Sequence, residues 1–126
     1  MNRVILVVTH GGVGDELVAL VRELLGDIPG LESLSVSARD SLETLSGKMQ
    51  KWAERIPAGR RGLVLTDLKN SSATVSALDL AKTYPIDCVC GVNLPLVLKS
   101  LSPANVNLAD LISAGRGGID VVGKPK

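Results

Sequence analysis

A chain of 126 residues fits one compact domain, and 14 basic against 13 acidic side chains leave a formal charge of only +1. So weak a field disfavours nonspecific polyanion binding, and with no Phe, one Trp and one Tyr there is no aromatic platform on which bases could stack, so nucleic acid is not an expected partner. Apolar residues make up 45%, enough for a chain of this size to bury about two thirds of its unfolded surface without disulfide staples.

Strand-like and helix-like patterns alternate from end to end. That alternation predicts an α/β protein, three layers deep, with helices on both faces of a mainly parallel sheet of four strands. Val4 to Thr9 is a continuous β-branched and apolar run, as expected of a strand covered on both sides. It is far shorter than the roughly 20 apolar residues of a membrane span, and no small-residue cleavage pattern follows it, which predicts a cytoplasmic protein. Leu17, Leu20, Val21, Leu24 and Leu25 recur at helical spacing until Gly26. Leu31 to Val36 alternates apolar with polar and predicts a strand near an edge. Asp40 and Glu43 have the spacing of a capping box, ahead of a stripe formed by Leu42, Leu45, Met49, Trp52, Ala53 and Ile56. The lone Trp is read as core.

Gly62 to Thr66 predicts a third strand with Asp67 at its tip, and Asn70, Ser71 and Ser72 are all capable caps for the helix that carries Val75, Leu78 and Leu80. Ile86 to Val92 reads as the fourth strand, on which Cys88 and Cys90 share a face and behave as small hydrophobes. Two helices, Leu94 to Ser102 and Asn107 to Ala114, are followed by a short strand over Gly118 to Val122 and a loose tail over Gly123 to Lys126. No repeat or linker divides the chain, so residues 1–126 are expected to form a single domain.

In an open parallel sheet, ligands bind beyond the carboxyl ends of the strands where neighbouring crossovers diverge. The residues at those tips are therefore the candidates for chemistry. His10, the only histidine, stands just outside the first strand before Gly11 and Gly12, which let another group approach the backbone closely. If the first and third strands are neighbours, Asp67 can accept a hydrogen bond from Nδ1–H of that ring and leave the Nε2 lone pair free as a nucleophile. The same carboxylate stabilises charge growing on the ring as it attacks, and a phosphoryl group is a fitting electrophile. Backbone and hydroxyl groups of Gly11, Gly12, Asn70, Ser71 and Ser72 are the candidate phosphate-binding donors. Plainer readings stand beside these: a loop histidine that packs or caps, a turn carboxylate, and a Ser run that serves only as a helix cap. The P-loop pattern is absent, and Gly12-Val13-Gly14 is followed by Leu17 where a dinucleotide fingerprint needs Gly, so neither motif offers ATP or NAD a seat. A seryl hydrolase built on Ser71 or Ser72 has no nucleophile-elbow motif. A metal site would need His10, Asp67 and the two cysteines to converge, so neither metal nor other cofactor is expected.

Four landmarks together resemble one family. They are Val7-Val8-Thr9-His10-Gly11 closing the first strand, Leu63-Val64-Leu65-Thr66-Asp67 closing the third, Gly91-Val92-Asn93-Leu94-Pro95 opening a helix, and Gly115-Arg116-Gly117-Gly118-Ile119 before the last strand. Their order and spacing are similar to those of the IIA component of the mannose/fructose/sorbose type of bacterial phosphoenolpyruvate-dependent sugar phosphotransferase system. The resemblance implies that His10 takes a phosphoryl group from the phosphocarrier HPr and passes it to a IIB component, with Asp67 as its partner. It also implies indirect links to the membrane components IIC and IID, peripheral association with the membrane through them, and no ATP of its own. A homodimer that exchanges a final antiparallel strand, here Gly118 to Val122, belongs to the same implication. One departure lies after Asp67: the family usually has a Gly-Gly-Ser-Pro-like loop, where this chain has Leu68-Lys69-Asn70-Ser71-Ser72-Ala73. Only Ser72 matches, Lys69 adds a charge, and Ser71 would be strained wherever the family glycine needs a strongly positive φ. The altered loop motivates an alternative function, a regulatory binding module of the same fold, switched by phosphorylation of His10 without sugar transport.

Overall fold

A computed structural model describes residues 3–123. Four strands, β1 (Arg3–His10), β2 (Leu31–Val36), β3 (Arg61–Thr66) and β4 (Ile86–Val89), alternate with helices α1 (Val13–Leu25), α2 (Leu42–Glu54), α3 (Ser72–Leu80), α4 (Leu94–Ser100) and α5 (Leu108–Gly117). The sheet is parallel throughout, in the order β2-β1-β3-β4. The chain steps from β1 to one side for β2 and then returns past β1 to β3. The crossovers therefore diverge between β1 and β3, which is where an open α/β sheet leaves its crevice.

Both faces of β1 are covered, which explains its unbroken apolar run: Ile5 to Thr9 are buried. On one face Ile5 and Val7 pack with Val18 and Val21 of α1, Leu96 and Val97 of α4 and Leu111 of α5. On the other Leu6, Val8 and Val64 meet Leu45, Met49, Trp52 and Ala53 of α2 with Ala73 and Ala77 of α3. These two clusters make the three-layer α/β/α architecture. Trp52 belongs to the core as read, lying so close over β3 that a Cβ on Gly62 would stand 2.7 Å from its ring. β2 is an edge strand, in keeping with its alternating pattern.

Several boundaries depart from the sequence reading. The cap of α2 is Ser41, whose side chain accepts from Thr44 N–H, while Asp40 instead accepts from Ser37 N–H. β4 ends at Val89, so Cys90 lies past the strand and is exposed, whereas Cys88 is half-buried and both are free thiols. α5 runs on to Gly117, with Gly118 as its cap. The strand expected over Gly118 to Val122 is not formed within the chain: residues 119–122 are irregular, and Ile119, Val121 and Val122 are exposed. A strand exists only by pairing, and no strand among the described residues pairs with this segment. Lys124 to Lys126, read as part of the loose tail, lie outside the described residues.

Candidate functional site

His10 is the last residue of β1, and Asp67 is the first beyond β3, the neighbouring strand. Parallel pairing of Val8 with Thr66 carries both chains out of the sheet side by side, at its carboxyl edge. One oxygen of the Asp67 carboxylate, Oδ2, accepts from His10 twice, from the backbone N–H at 2.8 Å and from Nδ1 at 2.8 Å. The other, Oδ1, accepts from Leu68 N–H at 2.8 Å. The ring thus donates through Nδ1 and keeps its lone pair on Nε2. The His10 side chain is 55% exposed and that of Asp67 only 24%, so the ring is open to a visiting group while the carboxylate behind it is shielded.

Burial pushes the Asp67 carboxyl upward, but the two N–H groups and the ring it accepts from, with the ring's charge, outweigh burial and hold it below the usual carboxylate value. It is an anion at neutral pH. The Cys88 thiol, in contrast, is pushed up to about 11, chiefly by burial and despite its hydrogen bond with Thr66, which makes it a poor nucleophile or metal ligand. Among the described residues, no three His, Cys, Asp or Glu side chains gather to hold a metal ion.

The expected phosphate donors divide into two groups. Gly11 N–H is already donated to Val36 O at 3.0 Å, and Ser71 N–H to Leu68 O at 3.1 Å. The Ser71 hydroxyl is buried as the cap of α3, accepting from Thr74 N–H. None of these is free to reach a ligand. Gly12, Asn70 and Ser72 keep backbone N–H groups with no partner among the described residues, at the starts of α1 and α3 or just before them. The loop after Asp67 needs no glycine, since no described residue other than glycine has a positive φ and Ser71 sits at φ −70°. Thr74, which the sequence reading passed over, holds this loop: its Oγ1 donates to Leu68 O at 2.8 Å and touches the hydroxyls of Thr66 and Ser71 at 2.7 and 3.1 Å. A Thr at the third position of a helix was the available signal.

The comparisons with known proteins bear on this arrangement. The family EIIA-man, described as the PTS system fructose IIA component, matches residues 4–114. The chain belongs to this family. It is thus a IIA-type phosphotransferase component of a sugar phosphotransferase system. Among solved structures, the chain is similar to a mannose/sorbose-specific IIA subunit from Enterococcus faecalis at 24% identity, with TM-score 0.88, covering 100% of this chain and 98% of that one. It is also similar to a IIA protein associated with the fucose utilization operon of Streptococcus pneumoniae, at 22% identity and TM-score 0.85, covering 97% and 94%. A component EIIA from Streptococcus agalactiae matches at 22% identity and TM-score 0.80, over 94% and 96%. At these identities the structures speak for the fold. Comparison with curated protein sequences gave no match. Among the described residues no helix is long and apolar enough to cross a membrane.

Proposed function

We propose that the chain is a phosphocarrier, which accepts a phosphoryl group from phospho-HPr on Nε2 of His10 and passes it to a IIB component for coupled sugar uptake and phosphorylation. The single observation that carries this reading is the 2.8 Å contact between His10 Nδ1 and an Asp67 carboxylate held ionised. It selects one tautomer of the ring. As Nε2 attacks phosphorus, the nitrogen–phosphorus bond to the donor histidine breaks, the new one forms, and the proton on Nδ1 stays in place against Asp67. Positive charge growing on the ring then lies beside a carboxylate that needs no reorganisation to receive it. Gly12, Asn70 and Ser72 are the amides offered to the phosphoryl oxygens. Positioning and electrostatics supply the catalysis, as is usual for phosphoryl transfer.

In this reading residues 1–126 form one IIA domain, cytoplasmic, dimeric through its C-terminal segment, and linked to membrane IIC and IID components only through IIB. Intact-mass measurement after incubation with phosphoenolpyruvate, Enzyme I and HPr tests it, at mildly alkaline pH where phosphohistidine persists. One added phosphoryl group on the wild type and none on His10→Ala is the expected result. A folded wild type that stays unmodified beside charged HPr refutes the carrier. Onward transfer to a IIB domain separates a carrier from a regulatory module that only holds the group.

A further inference from the structure

The peptide that follows His10 is held from the opposite side to Asp67. In the parallel register of β1 and β2, Thr9 stands opposite Ser35 and His10 opposite Val36. Gly11, at φ +58°, gives its N–H to Val36 O at 3.0 Å and receives the Ser35 hydroxyl on its carbonyl at 2.6 Å. Ser35 Oγ also lies 3.0 Å from Asp15 Oδ2, so its one proton faces two acceptors, with the shorter contact to the Gly11 carbonyl. The other oxygen of Asp15 is served by Ser33, whose hydroxyl donates to Oδ1 at 2.7 Å. Asp15 occupies the third position of α1, where a carboxylate is favoured by the helix dipole, and so ties the wet face of β2 to the start of that helix.

We infer that Ser35 is a positioning residue for His10: by donating to the Gly11 carbonyl it fixes the peptide beyond the histidine, and with it the direction of Nε2. The inference rests on the reading of His10 as the phosphoryl acceptor. Ser35 is exposed and in neither core cluster, so removing its hydroxyl disturbs geometry with little effect on packing. Without that bond, Gly11 keeps a single tie to β2, in a backbone region that glycine leaves as readily as it enters.

The test compares wild type, Ser35→Ala and Ser35→Thr in the rate of His10 phosphorylation by phospho-HPr, measured by quenched flow over a range of donor concentrations. Gly11 amide hydrogen exchange and the His10 ring nitrogen resonances are recorded on the same proteins without phosphate. Ser35→Ala is expected to lower the maximal rate about tenfold with the half-saturating donor concentration unchanged, since orientation and not docking is lost. Gly11 exchange should quicken, and Ser35→Thr, which restores a hydroxyl, should recover both. An unaltered rate in Ser35→Ala, or an equal loss in the Thr variant, overturns the inference. If wild type takes no phosphoryl group at all, it is the carrier function that fails. Ser35 is then judged on exchange and ring resonances: unchanged values in Ser35→Ala overturn its positioning role, and altered ones sustain it.

Discussion

At the scale of single residues, Asp67 is tightly constrained, because its two oxygens accept from three donors. An amide cannot do the same. In Asp67→Asn, either orientation turns an NH2 toward an N–H donor, and the orientation that keeps Leu68 satisfied makes His10 Nδ1 an acceptor and moves the ring proton to Nε2. We therefore expect Asp67→Asn to slow His10 phosphorylation by about a hundredfold or more, with the ring nitrogen resonances reporting the exchanged tautomer. Asp67→Ala leaves the His10 and Leu68 N–H groups without their acceptor and should cost about 1–2 kcal/mol of stability at neutral pH. Because the folded protein holds this carboxyl below its ordinary value, the stabilisation is complete above the unfolded value and is lost as pH falls through the folded one. The gap between wild type and Asp67→Ala in urea denaturation should accordingly be full at pH 6 and shrink below about pH 4; a gap that widened on acidification would contradict this. His10 and Asp67 were legible from position alone, since both stand at the tips of strands that read clearly. Ser35 and Asp15 were not, because their partners depend on the register of β1 against β2; Thr74 carried a signal in its place near the helix start, but its partners depend on the course of a loop.

At the scale of elements, the starts of the helices hold the site together, and here local patterns competed. Asp40 with Glu43 satisfies the spacing of a capping box, yet Ser41 takes the cap and Asp40 turns back to the preceding loop. A one-residue shift of this kind cannot be read when two adjacent residues are both good caps. At α3 three candidates adjoined, and Ser71 caps while buried, joined through Thr74 to Thr66 and to the Leu68 carbonyl. Ser71→Ala should therefore cost about 1–2 kcal/mol, measured by chemical denaturation, and loosen the segment that presents Asn70 and Ser72. The start of α1 is seated differently: Gly14 N–H donates to Thr9 Oγ1 at 2.7 Å, and the helix lies so close to β1 that a Cβ on Gly14 would meet Val7 Cγ1 at 3.0 Å. Gly14→Ala should destabilise by about 1–3 kcal/mol through overpacking against a strand buried on both faces, although alanine is the better helix former. Stabilisation by Gly14→Ala would mean that β1 yields more easily than its burial implies.

At the scale of the whole molecule, the sheet was legible because buried parallel strands are nearly continuous apolar runs, while the order of strands was not: the adjacency of the first and third strands entered only as a condition, drawn from the usual order of doubly wound sheets. The C-terminal segment is where a single chain falls short of explaining its own sequence. Ile119, Val121 and Val122 are 80%, 61% and 98% exposed, although each apolar side chain of this size gains about 1.5–3 kcal/mol on full burial. Among the described residues the outer edge of β4 is unpaired, and beside it lies a cavity of about 390 Å³ whose walls include Cys88, Val89, Asn93, Leu96 and Ile119. An unpaired edge next to an unpaired apolar segment is the arrangement that a second copy resolves by exchanging that segment, which removes both exposures at once. The proposed homodimer therefore makes a definite demand on solution behaviour. Wild type should sediment as a dimer, and the double variant Ile119→Ser, Val122→Ser as a monomer whose sheet, judged by circular dichroism, is intact, because neither residue belongs to the two core clusters. A monomeric wild type, or a double variant that dimerises as tightly as wild type, would leave the exposed segment without this explanation. His10 lies at the carboxyl end of β1, and β3 separates β1 from the β4 edge. The monomeric variant should thus retain phosphorylation at His10, which makes assembly and chemistry separable by one pair of measurements.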